Sequence, residues 1–279
     1  MAMGLPPIRT DIDDAKRDLD EFGLTRMQGV IDETTLAEAR ARLDAQAAGE
    51  IAHGCAFTDT GDQVTNDSDG ANQRIWNLIN KGEVFRRMVM NESLQALARH
   101  VLGEDLLLFS ATANIAKKGG KAQPLHGDQL FAPADIPYSL IANGAWLLDP
   151  FTAENGATRV VPKTHLLKRW PDPERDLDWV PAEAPAGTLM FWDGRLWHGT
   201  GVNQTEKPRR AVLTSFARPF MRQHENATMG VAPEVLDQCS PELLTLLGFR
   251  PYMGLGNVDG SRHGELTLRP TTFSGELNP

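Results

Sequence analysis

A histidine and an aspartate, His126 and Asp128, stand two positions apart in the stretch QPLHGDQL of a chain that has only seven histidines. In an extended segment, residues i and i+2 point to the same face, so an imidazole and a carboxylate would converge on one point. That geometry suits two ligands of one metal ion. Because two specified residues also occur together by accident, the pair needs further support from the sequence.

A third ligand and a cation follow in the stretch GTLMFWDGRLWHGTGVNQTEKPRRAVLTSF, where His198 comes after a strand-like run. Two histidines and one carboxylate form the facial set that suits non-haem Fe(II), with positions left open for a chelating co-substrate and O2. The far carboxylate of a 2-oxoacid would be matched better by the planar, charged fork of an arginine than by a lysine. Either Arg209 or Arg210 could fill that role.

Composition limits the class of partner. A length of 279 residues, with 41% hydrophobic and 23% charged residues, predicts one globular domain over residues 1–279. The net charge of −9 opposes binding to nucleic acid or to an anionic membrane, so a small molecule is the expected partner. The sequence shows neither a signal-peptide core nor an apolar run that could cross a bilayer, which predicts a cytoplasmic protein. Monomer and homodimer both remain open.

The N-terminal part, from about residue 10 to 103, has the patterns of helices. A short polar helix is expected to end at Gly23, and an amphipathic helix with acidic and hydroxyl residues at its start is expected to end near Gly49. Asn91 is a candidate cap for a later helix that Gly103 would end. Residues 50–73 lack periodicity and are rich in Gly, Asp and Asn, which predicts an extended loop of the kind that forms lids or binding segments.

From about residue 105 to 220 the pattern changes to short apolar or alternating runs between Gly, Pro and Asn turns, which predicts strands. Helices followed by strands favour an α+β or mainly β fold, with an antiparallel sheet core and helices packed on one side. Residues 221–279 contain one or two short helical patterns followed by Gly-rich loop. We expect this segment to close over the barrel.

Together these segments resemble the phytanoyl-CoA dioxygenase family of Fe(II)- and 2-oxoglutarate-dependent oxygenases. The resemblance covers most of the chain and includes FGLTRMQGVID, QPLHGDQL, GAWLLDPFTAENGATRVVPKTH, HGTGVNQTEKPRRA and GFRPYMGLGNVDG. The chain departs from the family pattern at Lys163 and Thr164, where Gly and Ser are usual, which bears on local loop shape. The resemblance implies a double-stranded β-helix, or cupin-like jelly roll, with the metal in its open mouth.

The resemblance also implies roles for particular residues. The metal ligands would be His126, Asp128 and His198. The family's co-substrate arginine lies eleven residues after the distal histidine, which selects Arg209 and leaves Arg210 as the alternative. Three further side chains are expected near 2-oxoglutarate by the same comparison: Gln123, Trp146 and Thr200.

The implied activity is hydroxylation, or another oxidation, of an unactivated C–H bond in a small organic molecule, with Fe(II), 2-oxoglutarate and O2 as cofactors and co-substrates. Succinate and CO2 would be released, and the substrate is expected to be a secondary metabolite or a small carboxylic acid. Desaturation and ring closure share the same iron centre and stay open. Two other functions remain as alternatives, namely a divalent-metal hydrolase or isomerase and a non-catalytic ligand-binding module on the same barrel.

The remaining histidines and tryptophans receive structural interpretations. His165 is excluded from the ligand set, because a structural histidine bonded to nearby backbone explains it equally well. Trp192 is assigned to the core and Trp170 to an exposed turn. A solvated side chain is expected for four histidines: His53, His100, His224 and His263.

Overall fold

The computed structural model describes residues 4–59, 64–65, 71–172, 174–175 and 178–258, together with 266 and 268. The α-helices of this part, α1 to α7, are Ile12–Phe22, Glu33–Ala52, Glu83–Val89, Glu92–Leu102, Ala227–Gly230, Pro233–Leu236 and Pro241–Leu246. Short 3₁₀ turns cover Leu78–Asn80 and Thr164–Leu166. No helix in the described residues is both long and apolar enough to span a bilayer.

The strands of the described part, β1 to β11, are Leu24–Met27, Phe57–Asp59, Val64–Thr65, Asn72–Ile75, Leu107–Ala116, Ile141–Leu147, Arg159–Val161, Val180–Pro181, Leu189–Asp193, Trp197–Gly199 and Arg209–Ala217. They form a large sheet in the order β1-β9-β6-β11-β5-β4-β2-β3 and a small sheet in the order β10-β7-β8. All these pairings are antiparallel.

The two sheets and the helices form a jelly roll with an outer helical layer. Met190 and Trp192 of the large sheet share one apolar cluster with Val160 of the small sheet, so these faces pack together. The opposite face of the large sheet, represented by Trp146 and Phe216, packs against the helices. The predicted antiparallel sheet core with helices on one side is therefore confirmed.

Several predicted helix ends are confirmed by capping contacts. Gly23 ends α1 with a left-handed backbone, φ 81°, and Asn91 caps α4 by accepting a hydrogen bond from the Leu94 amide at 3.2 Å. Gly103 follows the end of α4. The prediction that Gly49 ends α2 is wrong, because the helix continues to Ala52. A glycine weakens a helix interior but does not by itself end it.

The predicted loop at residues 50–73 is wrong for part of its length. Strands β2 and β3 lie in this segment and β4 begins in it, and β4 pairs with β5, so the segment widens the large sheet. Its polar composition concealed these strands, because pairing with an existing sheet edge outweighs weak local propensity. Residues 60–63 and 66–70 lie outside the described residues, as does His263, so the expected lid is untested there.

A β-bulge interrupts the pairing of β5 with β11. Ser110 lies opposite Ser215, but the next partner of Phe216 is Leu108, which leaves Phe109 as an extra residue. Elsewhere in β5 the side chains alternate between the pocket and the helical core. At the bulge, Phe109 and Ser110 both line the pocket, because the extra residue changes the direction of the side chains before it.

Candidate metal centre and its pocket

The two candidate histidine ligands lie directly opposite each other in the fold. His126 and His198 exchange two backbone N–H···O hydrogen bonds of 2.9 Å in an antiparallel bridge. Residues paired in this way place their side chains on the same face, and the two imidazole centroids are 4.6 Å apart. The backbone therefore fixes the position of one histidine relative to the other.

Asp128 completes the group from the loop that follows His126. Its amide donates to the Gly194 carbonyl at 2.7 Å, at the end of β9. Between the two residues, Gly127 lies against the Trp170 ring, which a Cβ at position 127 would meet at 2.6 Å. One ligand atom from each of His126, Asp128 and His198 lies within 4.8 Å of the others.

The hydrogen bonds of the two imidazoles select the nitrogen that remains available for a metal. Nδ1 of His126 lies 2.9 Å from the Pro124 carbonyl, and Nδ1 of His198 lies 3.0 Å from the Leu196 carbonyl. A carbonyl only accepts, so each Nδ1 carries the proton of that bond, and each Nε2, on the side of Asp128, is the nitrogen left for a metal. Burial also lowers the pKa of His198, which favours the neutral, metal-binding form. The donor set thus fits a divalent metal with open positions.

The group faces a pocket of about 490 Å³. One end of this pocket lies near the start of β11, at Arg209 and Phe151. The other end lies near the start of β5, where Trp76, Phe109 and His224 form a wall at the mouth. The His224 ring meets the Trp76 ring edge-on at 5.2 Å and lies 5.5 Å from the Phe109 ring. The site thus combines a buried cation at one end with an aromatic mouth at the other.

Arg209 is a buried cation directed into the pocket. It is 2% exposed, donates through one terminal nitrogen to the Gly156 carbonyl, and stacks over the Phe151 ring at 4.2 Å. Its Nε has no hydrogen-bond partner among the described residues. Burial lowers the pKa of Arg209 to about 10. This value is still well above neutral pH, so the guanidinium stays charged. A buried charge with unsatisfied donors fits an anionic ligand.

Arg210 points away from the pocket and is already paired. Its Nε donates to Asp44 at 2.6 Å, and one terminal nitrogen donates to Asp149 at 3.0 Å. These bonds connect β11 to α2 and to the end of β6. Of the two arginines considered from the sequence, only Arg209 lines the pocket.

Gln123 and Thr200 both line the pocket and are bonded to each other. The Thr200 amide donates to Oε1 of Gln123 at 3.2 Å, and the Gln123 amide donates to the Thr200 carbonyl at 3.0 Å. Trp146 requires a correction, because it lies in the helical core at 0% exposure. Asn143 and Ala145 of β6 face the pocket, so the alternation of the strand directs Trp146 to the opposite side.

The sequence interpretation missed several residues at the site. Trp192 and Asn143 line the pocket beside Asp128, and Trp170 covers Gly127 instead of standing in an exposed turn. His224 is exposed as expected, but it also belongs to the mouth. His165 lies away from the ligand group, where its Nε2 is 3.2 Å from the Asp20 carbonyl and its ring packs on Gly23. It therefore has a structural position, as expected.

Comparisons with known proteins agree with this architecture. Residues 19–211 match the sequence profile of the phytanoyl-CoA dioxygenase (PhyH) family. The chain is 35% identical to dioxygenase af480 of Aspergillus fumigatus over 95% of this chain and 84% of that protein. It is 26% identical to dioxygenase andF of Emericella variicolor over 95% and 94% of the two chains.

Two solved structures share the fold. HygX from Streptomyces hygroscopicus, crystallised with nickel, 2-oxoglutarate and hygromycin B, superposes with a TM-score of 0.61 at 18% identity and covers 75% of this chain and 88% of that chain. The epimerase SnoN, in complex with Fe³⁺, α-ketoglutarate and nogalamycin RO, gives a TM-score of 0.57 at 20% identity over 92% and 95% of the two chains. At these identities the likeness concerns the fold.

Proposed function

The chain belongs to the phytanoyl-CoA dioxygenase family of Fe(II)- and 2-oxoglutarate-dependent dioxygenases, and on that premise we propose that it oxidises an unactivated C–H bond of a small organic molecule. Hydroxylation is the proposed outcome, and the proposed iron ligands are His126, Asp128 and His198. The observation that supports this most strongly is the ligand group itself, in which two Nε2 atoms and one carboxylate converge on one side of a pocket.

The residues of the chain have separate tasks in this proposal. Iron held by His126, Asp128 and His198 would supply the oxidising chemistry, with 2-oxoglutarate and O2 as co-substrates and succinate and CO2 as products. Arg209 would hold the far carboxylate of 2-oxoglutarate, because it is a buried cation with an unpartnered Nε. Gln123 and Thr200 line the same pocket and would contact the co-substrate. The protein orients both organic molecules and excludes bulk water from the reacting atoms.

The substrate would enter through the aromatic mouth. The rings of Trp76, Phe109 and His224, together with the exposed ring of Phe131, offer flat surfaces suited to an apolar or ring-containing molecule. Several matched relatives are fungal proteins named dioxygenases, and the two solved structures contain hygromycin B and nogalamycin RO. We therefore propose a secondary metabolite as the substrate.

The first test needs no substrate. Fe(II) and then 2-oxoglutarate are added to the apoprotein without oxygen, and the weak visible metal-to-ligand charge-transfer band is recorded. We expect the band in the wild type and its loss in His126→Ala. His165→Ala is the matched control, because His165 lies outside the pocket, and it should keep the band. Metal binding without a band in the wild type would favour a divalent-metal hydrolase or isomerase instead.

A second measurement tests the reaction itself. In air, a panel of ring-containing natural products is screened for substrate-dependent formation of succinate, and the products are analysed for an added oxygen atom. We expect at least one compound to raise succinate formation above the rate seen with 2-oxoglutarate alone. If the charge-transfer band forms but no compound raises succinate formation, the result would support co-substrate binding and count against the proposed substrate class.

A further inference from the structure

One oxygen of the Asp128 carboxylate accepts two hydrogen bonds from neighbouring side chains. Nδ2 of Asn143 donates to Oδ2 at 2.7 Å, and Nε1 of Trp192 donates to the same Oδ2 at 3.2 Å. Both donors are almost fully buried, with Asn143 at 5% and Trp192 at 7% exposure. The other oxygen, Oδ1, lies 3.9 Å from Nε2 of His126.

The two donors are held together by the sheet. Asn143 of β6 is the direct register partner of Trp192 of β9, so their side chains lie on the same face, toward the pocket. A slip of one residue in this register would turn both donors away from Asp128. The strand pairing therefore fixes the two donors relative to each other, and Asp128 is brought to them by its backbone bond to Gly194.

Distance alone does not decide which oxygen of Asp128 would bind a metal, because Nε2 of His198 is 3.6 Å from Oδ2. The hydrogen bonds do decide it. A carboxylate oxygen has two lone-pair sites, and both sites of Oδ2 are engaged by Asn143 and Trp192, which leaves Oδ1 available. We propose that Asn143 and Trp192 are positioning residues that restrict Asp128 to binding the metal through Oδ1 alone.

This restriction has a consequence for the number of open metal positions, and here the inference rests on the proposed function. Two histidines and a carboxylate bound through one oxygen leave three positions of an octahedral ion, enough for a two-atom chelate and O2. A carboxylate bound through both oxygens would occupy one of these. The two N–H groups thus preserve an open position, and neither of them titrates near neutral pH.

The test compares variants that remove one N–H each while keeping shape. Trp192→Phe retains a buried aromatic ring, and Asn143→Leu retains similar volume. Trp146→Phe is the matched control. Trp146 lies on the face of β6 that packs against the helices, and its indole N–H has no hydrogen-bond partner in the described part of the chain. The readouts are anaerobic Fe(II) affinity, the position of the charge-transfer band with 2-oxoglutarate, and the urea midpoint of the metal-free protein.

We expect Trp192→Phe and Asn143→Leu each to weaken Fe(II) binding by about 10- to 100-fold, as is usual when partners of metal ligands are removed, and to shift the band. Trp146→Phe should leave both readouts unchanged. Should Asn143→Leu fail to fold, Trp192→Phe decides the matter. Wild-type affinity and an unshifted band in the folded variants would overturn the proposal, even if their urea midpoints fell. Absence of the band in the wild type would instead reject the proposed function, and with it this inference.

Discussion

Arg209 and Arg210 are neighbours in sequence, yet β11 directs their guanidinium groups to opposite faces. Arg209 enters the pocket over Phe151, whereas Arg210 pairs with Asp44 and Asp149 on the helical side. The difference follows from the two-residue period of a strand, which gives consecutive side chains different surroundings. One residue is therefore available to a ligand, and the other connects secondary-structure elements.

Replacing each arginine by lysine tests this division of roles. Arg209→Lys keeps a positive charge but loses the planar fork, so we expect the half-saturating concentration of 2-oxoglutarate to rise about 10- to 100-fold, the equivalent of about one charged hydrogen bond. The measurement is an anaerobic titration of the charge-transfer band. Arg210→Lys serves as control and should leave that concentration unchanged. Equal effects of the two substitutions would contradict the assignment.

The site residues that the sequence predicts are those marked by a short motif or by the family pattern. His126 and Asp128 share a short motif, and the family resemblance implies the separation of His198 and Arg209. Asn143 and Trp192 could not be predicted in the same way, because their contact with Asp128 depends on the register between β6 and β9. A signal for Asn143 is nevertheless present, since it is the one carboxamide in the otherwise apolar run LIANGAWLL.

At the scale of elements, the helices pack on the face of the large sheet opposite the pocket and help to position its strands. The side chain of Leu94 on α4 lies so close to Gly144 of β6 that a Cβ at position 144 would meet it at 2.5 Å. Gly144 is adjacent to Asn143, so the close approach of α4 helps to set the position of the strand that bears this donor. Asn91 fixes the start of the same helix and also donates through Nδ2 to the Val30 carbonyl at 2.9 Å.

Removing the cap of α4 should therefore cost stability. Asn91→Ala is expected to lower the free energy of unfolding by about 1–2 kcal/mol, because it leaves a helix amide and the Val30 carbonyl without their partner. Urea unfolding of the metal-free protein measures the effect. Asn91→Ser retains a capping oxygen but not the bond to Val30, so its loss should be smaller. An unchanged midpoint in Asn91→Ala would show that water replaces both contacts at no cost.

The elements are predictable where local signals agree. Helices α1 and α4 combine a helical period with capping residues, and strands β5 and β9 are apolar runs. It was not predictable where distant pairing determines the structure. Strand β4 has a polar sequence and forms on the edge provided by β5, and the bulge at Phe109 has no glycine to mark it. The family resemblance predicts Trp146 in the pocket. Because Asn143 faces the pocket, the alternation of side chains along β6 instead places Trp146 in the helical core.

At the scale of the molecule, the candidate ligands come from three separate parts of the fold. His126 and Asp128 lie in the loop after β5, His198 lies in β10 of the small sheet, and Arg209 begins β11 of the large sheet. The bridge between His126 and His198 and the bond from Asp128 to Gly194 bring these parts together. A metal and a co-substrate bound there would contact both sheets at once.

Ligand binding should therefore stabilise the whole fold by mass action. With Fe(II) alone at about 100 times its dissociation constant, the gain is roughly 2.7 kcal/mol, or an increase in Tm of about 5–10 °C, and 2-oxoglutarate should increase it further. Thermal unfolding without oxygen measures it, and a chelator should reverse it. His126→Ala should unfold at the same temperature with and without ligands. A similar increase in that variant would place the stabilising ligand elsewhere.

Because Phe109 is an extra residue in β5, the shape of the pocket could be changed by deleting a residue as well as by substituting one. Deleting Phe109 would restore regular pairing between β5 and β11 and leave Leu108 and Ser110 on their present faces. The mouth would lose the Phe109 ring, together with the carbonyl that accepts the amides of His224 and Glu225 at 3.0 and 3.1 Å. Deleting one residue from a regular strand turns the side chains on one side of the deletion to the opposite face. At the bulge the faces would be kept, so related sequences that lack this residue could accept larger molecules.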